Sequence, residues 1–307
     1  MEYVNIGKEQ IRASRMGFGT GSSGFTGDNL QTRLTVKELS DLLHYAFEMW
    51  GINFWDTGYT YGTHPHVSEA LRRVPRNEVV ISTKFSDSYE RTAEKKLAET
   101  LRALNTDYID ICLLHGVRNP FEFRMRSGAL RALVKAKERG YVRVIGLSAH
   151  GIGGIEAAVL EPEIEVLFAR LNWSGASMDA YQENLLSKVV AVPFVKEAAR
   201  RVIPRRLIPS FSAQVESLQS GICEQEAVKG LLRRFYGLKR PVVAMKVFGA
   251  GKLTGEIEKS IGFVMAQEYI GNYLLGMTSR GEVDENVRVY NEIKKRRLEP
   301  HVKRSFA

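Results

Sequence analysis

The chain has 307 residues, 44% of them hydrophobic and 26% charged, with a formal net charge of +9. That length is generous for one sandwich or doubly wound domain and suits a (β/α)8 barrel, which needs about 250 residues before insertions. No stretch approaches the ~20 apolar residues that span a bilayer, the N-terminus lacks the basic and apolar regions of a secretory signal, and the two cysteines, Cys112 and Cys223, build neither a disulfide framework nor a metal site; a cytoplasmic protein is expected.

Short apolar runs recur at 16–19, 52–55, 79–83, 108–114, 142–147, 166–171, 242–248 and 273–277. Near-continuous Val, Ile and Leu runs are what parallel strands need when both faces are covered. After the first run, Thr35 and Glu38 have capping-box spacing ahead of Leu39, Leu42, Leu43, Ala46 and Phe47, which share one helical face. Residues 93–104 and 130–139 repeat that pattern, the second stopped by Gly140. Alternating strand and helix gives a parallel sheet, and eight such units close most economically into a barrel. An open doubly wound sheet is the alternative, but the glycine-rich stretch 17–24 lacks the spaced dinucleotide fingerprint and its acidic ribose partner.

The connection between the sixth and seventh runs is about twice a normal crossover, which places an insertion at 176–221 on the side where strands end. No linker or repeat separates a second domain, so residues 1–307 read as one barrel. Basic clusters at Arg200-Arg201, Arg205-Arg206 and 294–297 come without an aromatic platform or nucleic-acid motif. They read as solvated helix faces, and no nucleic-acid partner is expected.

Polar residues close five successive runs: Asp56, Lys84, His115, Ser148 and Asn172. Strand ends of a barrel converge on one mouth, and Tyr61, five residues beyond Asp56, can reach back over it. A carbonyl reductase needs a proton donor for the forming alkoxide, and a phenol of pKa about 10 is a weak acid. An ammonium at Lys84 would lower the Tyr61 pKa, Asp56 would hold Lys84 charged, and His115 could orient the carbonyl oxygen.

Residues 56–62 are similar to the D-T-A-x-x-Y-G signature of the aldo-keto reductases, with Gly58 for the commoner Ala; 101–115, 140–148 and the lysine strand 81–85 also resemble that family's motifs. The resemblance implies a catalytic group of Asp56, Tyr61, Lys84 and His115, a hairpin over 4–14 that plugs the barrel floor, and hydride exchange between a nicotinamide cofactor and a small carbonyl or alcohol substrate. It further implies that Gly19, Thr20 and Asp56 lie near the nicotinamide ribose, Ser148 and Asn172 near the carboxamide, Lys246 and Gly249 near the pyrophosphate, and Ser279, Arg280, Glu285 and Asn286 near the adenosine. Two positions depart from the pattern: Ala149-His150 follow Ser148, and Phe168 stands where many members carry Gln. Glu282 would repel a 2′-phosphate while Ser279 and Arg280 would welcome one, which tilts the reading to NADP, with NAD as the alternative.

Two rival readings differ in class. His64, His66, His115, His150 and Asp56 could suggest a metal hydrolase, but His64 and His66 stand in a loop beside a proline rather than on strand ends. The resemblance also includes ion-channel accessory subunits, which implies a cofactor-binding regulatory or redox-sensing role with slow turnover as the alternative function.

Overall fold

The computed structural model describes residues 1–22, 28–175 and 225–298. Strands β1 (Tyr3–Ile6) and β2 (Ile11–Ser14) form an antiparallel hairpin. The strands β3 (Met16–Gly19), β4 (Phe54–Asp56), β5 (Val80–Phe85), β6 (Ile109–Val117), β7 (Val142–Ala149), β8 (Val166–Arg170), β9 (Val242–Met245) and β10 (Ile270–Gly276) close a parallel barrel in sequence order. Around it lie α1 (Val36–Trp50), α2 (His64–Leu71), α3 (Glu90–Leu104), α4 (Pro120–Met125), α5 (Ser127–Glu138), α6 (Ile152–Leu160), α7 (Gln225–Gly237), α8 (Ile257–Ala266) and α9 (Arg280–Leu298). The (β/α)8 barrel with its N-terminal hairpin is therefore present, and the expected insertion, 176–221, lies outside the described residues. None of the described helices is long and apolar enough to cross a membrane.

Local chemistry accounts for these elements. Thr35 and Glu38 complete the capping box of α1, and Gly51 at φ +67° ends that helix. Asn105 at φ +50° ends α3, and Gly140 at φ +77° follows α5. The seventh apolar run is shorter as a strand than the sequence suggests. It stops at Met245 because Lys246 turns to φ +58°, which no parallel ladder accommodates.

Two cores result. Between barrel and helices lie Met16, Phe18, Trp55, Ile145, Leu147 and Tyr273 among many others. Inside the barrel, Phe54, Val80, Ile111, Leu113, Val144, Phe168 and Val243 pack together with Ile6, Ile11 and Ala13 of the hairpin. The hairpin thus closes the floor, and Gly7, at φ +70°, lets it approach: a Cβ there would stand 2.6 Å from Val144 Cγ2. With the floor sealed, the open end is the one where strands finish.

The floor also holds a buried charge cluster. Asp110 of β6 is 1% exposed and accepts hydrogen bonds from Ile81 N (2.9 Å), Arg76 Nη2 (2.7 Å) and Arg143 Nη1 (2.8 Å). Removing this carboxylate would leave the buried Ile81 amide without its acceptor and take from Arg76 and Arg143 the charge they share, a loss of about 3 kcal/mol. Urea unfolding of Asp110→Ala should show that loss, whereas stability within about 1 kcal/mol of wild type would contradict the stapling role.

Candidate active site at the barrel mouth

Asp56 ends β4, in register with Gly19 of β3 and Ser82 of β5, and is 4% exposed. Lys84, two residues beyond Ser82 on the same strand, points to the same face of the sheet and is 2% exposed. Its ammonium donates to Asp56 Oδ1 at 2.6 Å, Asp56 Oδ2 at 2.7 Å and Thr57 O at 2.9 Å, and Ser82 Oγ donates to Asp56 Oδ1 at 2.6 Å. Every N–H of the ammonium has an acceptor, the condition under which a buried ion pair is tolerated.

The chain then turns to bring Tyr61 over this pair. Thr57 N donates to Ser82 O, Tyr59 N to Lys84 O and Tyr61 N to Gly58 O, so the loop is pinned to the end of β5. Asn29 Nδ2 holds Tyr61 O at 2.8 Å. The Lys84 ammonium stands 4.9 Å from the Tyr61 ring centroid. On its other side the ring lies against Gly21, where a Cβ would come within 2.1 Å of Tyr61 Cε2. No side chain larger than hydrogen fits there without moving the phenol. His115, near the end of β6, stands edge-on to Tyr61 with centroids 5.8 Å apart. The structure therefore brings Asp56, Tyr61, Lys84 and His115 together.

Electrostatics correct one expectation. Burial raises the Tyr61 phenol above its ordinary value; Lys84 pulls it down, but Asp56 pushes it up and the net direction is upward. Desolvation, which the sequence does not display, outweighs the pull of the ammonium. Burial alone would lower Lys84, but the Asp56 charge and hydrogen bond outweigh it, so Lys84 is raised and stays an ammonium at neutral pH.

Beside this group lies a cavity of about 330 Å³. Its wall runs from Asp56, Tyr61 and Lys84 past Gly19, Lys246, Ala250 and Gly251 to Glu282, Glu285 and Asn286 at the start of α9. Both ends suit a nicotinamide dinucleotide. At the far end Asn286 is 4% exposed, and its Oδ1 is buried without a hydrogen-bond partner, an acceptor suited to an adenine amino group. At the near end the wall is glycine at 19 and 276, and a Cβ on Gly276 would stand 1.6 Å from Ser22 Oγ.

Several expected cofactor residues are not among those lining this cavity. Thr20 is fully buried, its hydroxyl bonded to Asp56 O (2.9 Å) and Thr63 Oγ1 (2.7 Å), so it buttresses the Asp56 turn. Ser148 Oγ accepts from Gly116 N at 2.7 Å and fixes the backbone after His115. Asn172 Nδ2 donates to Lys246 O at 3.3 Å, tying the segment after β8 to the residue after β9. Gly249 is buried behind its neighbours Ala250 and Gly251, which take its place on the wall. At α9, Ser279 Oγ caps the helix by accepting from Glu282 N (3.2 Å), and the Arg280 guanidinium lies 4.8 Å over the Tyr45 ring. Neither lines the cavity. Glu282 does, with Oε2 accepting from Thr278 N at 2.6 Å.

Sequence reasoning passed over three supports. Gln31 is fully buried, bonded to Ser22 N and Met277 O, and joins the loop after β3 to the end of β10. Arg126, 3% exposed, donates to His115 O and pairs with Glu122. Gly21 makes room for the phenol. Only the glycine gave a signal, within the stretch 17–24. His64 and His66 sit in the first turn of α2; burial lowers His64 to about 4, and His66 Nε2 stands 3.2 Å from Leu34 O. Among the described residues no group of three or more His, Cys, Asp or Glu is placed to hold a metal ion. Cys112 is fully buried, which pushes its thiol up to about 12.

Known proteins resemble this chain. The chain is 29% identical over 217 residues to Probable aldo-keto reductase 1 of Glycine max, covering 66% of this chain and 58% of that protein. It is 26% identical over 206 residues to the NADH-specific methylglyoxal reductase of Escherichia coli, covering 58% and 61%. The matches thus span about three-fifths of the length of these curated relatives. Among solved structures, an aldo-keto reductase from Bacillus halodurans superposes with a TM-score of 0.63 at 18% identity, over 96% of each chain, and shares the fold. The profile of the Aldo/keto reductase family matches residues 15–193, more than half of the sequence, and the chain belongs to that family.

Proposed function

We propose that this protein is an NAD(P)H-dependent oxidoreductase, a single barrel domain with residues 176–221 inserted, that interconverts a small carbonyl compound (an aldehyde, ketone or aldose) and its alcohol. The observation that carries this reading is the Tyr61 phenol set over the buried Lys84–Asp56 pair, at one end of a cavity that reaches the start of α9. When bound, the nicotinamide supplies the hydride that reduces the carbonyl carbon. The chain's own residues manage the proton and the charge. The raised Tyr61 pKa keeps the phenol protonated through the neutral range, the form that can donate its proton to the developing alkoxide. The Lys84 ammonium stabilises the phenolate left behind, and Asp56 keeps that ammonium charged and in place. His115, edge-on to Tyr61, orients the carbonyl oxygen. The dry walls around Lys84 strengthen each of these interactions.

Tyr61→Phe removes the proton donor while keeping the ring against Gly21. It should retain nicotinamide binding and lose about 10²-fold to 10⁴-fold in carbonyl reduction. Undiminished turnover would take Tyr61 out of the chemistry. A wild-type protein that binds cofactor but turns over none of a panel of aldehydes, ketones and aldoses would favour the regulatory reading.

The cavity also bears on the cofactor. Ser279 and Arg280 support NADP in the sequence, yet at this end the charged side chains on the wall are Glu282 and Glu285, while Arg280 lies on Tyr45. A carboxylate there repels a 2′-phosphate and can accept from a ribose diol. This geometry supports NADH over NADPH, in line with the name of the Escherichia coli relative. Glu282→Gln should shift the ratio of dissociation constants towards NADPH by about tenfold, one charge interaction of about 1.4 kcal/mol. An unmoved ratio would place Glu282 away from the ribose.

A further inference from the structure

We propose that Arg126 is a positioning residue for the carbonyl chemistry: with Ser148 it clamps the peptide unit that follows His115, and so sets the angle at which that imidazole meets a bound carbonyl. The proposal rests on the carbonyl oxidoreductase reading and adds to it a residue that stands outside the cavity.

The need for a clamp arises in β6. Ile111 and Leu113 pack inside the barrel, while Cys112 and Leu114 pack against the helices. Simple alternation would turn Val117 inward as well, yet it belongs to the outer core. The pairing with β7 gives the reason. Leu114 is opposite Leu147 and Val117 is opposite Ala149, so β6 takes three steps where β7 takes two and carries one extra residue at 115–116. Gly116 adopts φ +65°, a left-handed conformation that glycine accepts without strain. A bulge of this kind interrupts the ladder and re-aims the side chain it carries. That side chain is His115, which stands edge-on to Tyr61 with centroids 5.8 Å apart.

Both edges of the displaced peptide are held. Its carbonyl, His115 O, accepts from the Arg126 guanidinium, and its N–H, that of Gly116, donates to Ser148 Oγ at 2.7 Å. Ser148 is fully buried on β7, and Arg126 is 3% exposed between α4 and α5. The peptide unit is planar and includes the His115 Cα. Contacts on its two edges therefore fix the base from which the imidazole projects.

The Arg126 charge is itself anchored. Glu122 of α4, also buried, pairs with the guanidinium and accepts from Arg118 N at 3.0 Å, and Asn119 caps that helix by accepting from Glu122 N at 2.7 Å. A buried ion pair adds little to folding compared with apolar residues of similar volume. Stability thus gives no reason to keep one beside the mouth. Holding a carbonyl at a set angle does, because it needs a donor that cannot rotate away, and a guanidinium fixed by a carboxylate is such a donor.

The test reads the effect through His115. Arg126→Met combined with Glu122→Gln removes both charges of the pair and keeps an oxygen for Arg118 N, so neither charge is left buried alone. The double variant should bind NADH and NADPH within about twofold of wild type and lose about 10-fold to 100-fold in kcat/KM on the best substrate among benzaldehyde, ethyl acetoacetate and glyceraldehyde. Arg126→Lys, which keeps a donor and the ion pair, should restore part of the loss. In a His115→Ala background the same double change should alter kcat/KM by less than about twofold, because the group it positions is gone. Undiminished kcat/KM in the folded double variant overturns the proposal, and so does an equal loss with and without His115. If the double variant does not fold, Ser148→Ala, which releases the other edge of the same peptide, is held to the same criteria. If wild type reduces none of these carbonyls, the parent reading fails and the clamp is judged by NMR. The imidazole resonances of His115, assigned by their loss in His115→Ala, should then shift in Arg126→Lys and in Ser148→Ala, and resonances at their wild-type positions in both overturn it.

Discussion

The structure depends on taking one ammonium out of water. Lys84 is almost fully buried, an arrangement that would discharge a lone lysine, and it remains charged because Asp56 meets it with both carboxylate oxygens and Thr57 with its carbonyl. This requirement fixes much else. Asp56 and Lys84 must close adjacent parallel strands in the register observed, the loop after Asp56 must fold back on Ser82 and Lys84, and the Thr20, Thr57 and Thr63 hydroxyls must occupy the polar space behind it. Tyr61 is then placed by the same loop, with glycine at position 21 leaving room for its ring.

The two ends of the barrel divide the labour. At the floor, the hairpin and the Asp110 cluster seal the interior. Asp110 belongs to the sequence stretch that most closely resembles the family, and its role is to join β5 and β6 to Arg76 and Arg143 rather than to do chemistry. At the mouth, β8 and β9 end in irregular backbone. The left-handed turn at Lys246 and the bends at Ala250 and Gly251 lie on the wall between Tyr61 and α9.

Much of this was legible in the sequence. Strands buried on both faces appear as apolar runs, so the barrel, its order and the polar residues at its strand ends could be read directly. Asp56, Lys84 and His115 stand together because strand ends of a barrel converge on one mouth, and the loop after Asp56 brings Tyr61 to them. What escaped were contacts set by three-dimensional register or by loops. Arg126 reaches His115 O from the start of α5, and Gln31 acts from an aperiodic loop. The residues assigned to the cofactor by resemblance fall into two groups in the structure. Gly19, Lys246, Glu285 and Asn286 are on the cavity wall, while Thr20, Ser148 and Asn172 bond to the backbone behind it. Lys84 does pull the Tyr61 phenol down, but burial, which a sequence does not display, outweighs it and the net direction is upward.

In the proposed mechanism the Lys84 ammonium works against burial to keep the Tyr61 phenol usable in both directions. Alcohol oxidation needs the phenolate, so its rate should rise with pH towards the raised Tyr61 pKa, while carbonyl reduction needs the phenol and should stay level through the neutral range. The direct measurement is the pH profile of alcohol oxidation in wild type and in a folded, cofactor-binding Lys84→Met. With the ammonium gone, desolvation and Asp56 act unopposed by it, and the rising limb should move to higher pH. A limb that stays where it is in wild type would contradict it.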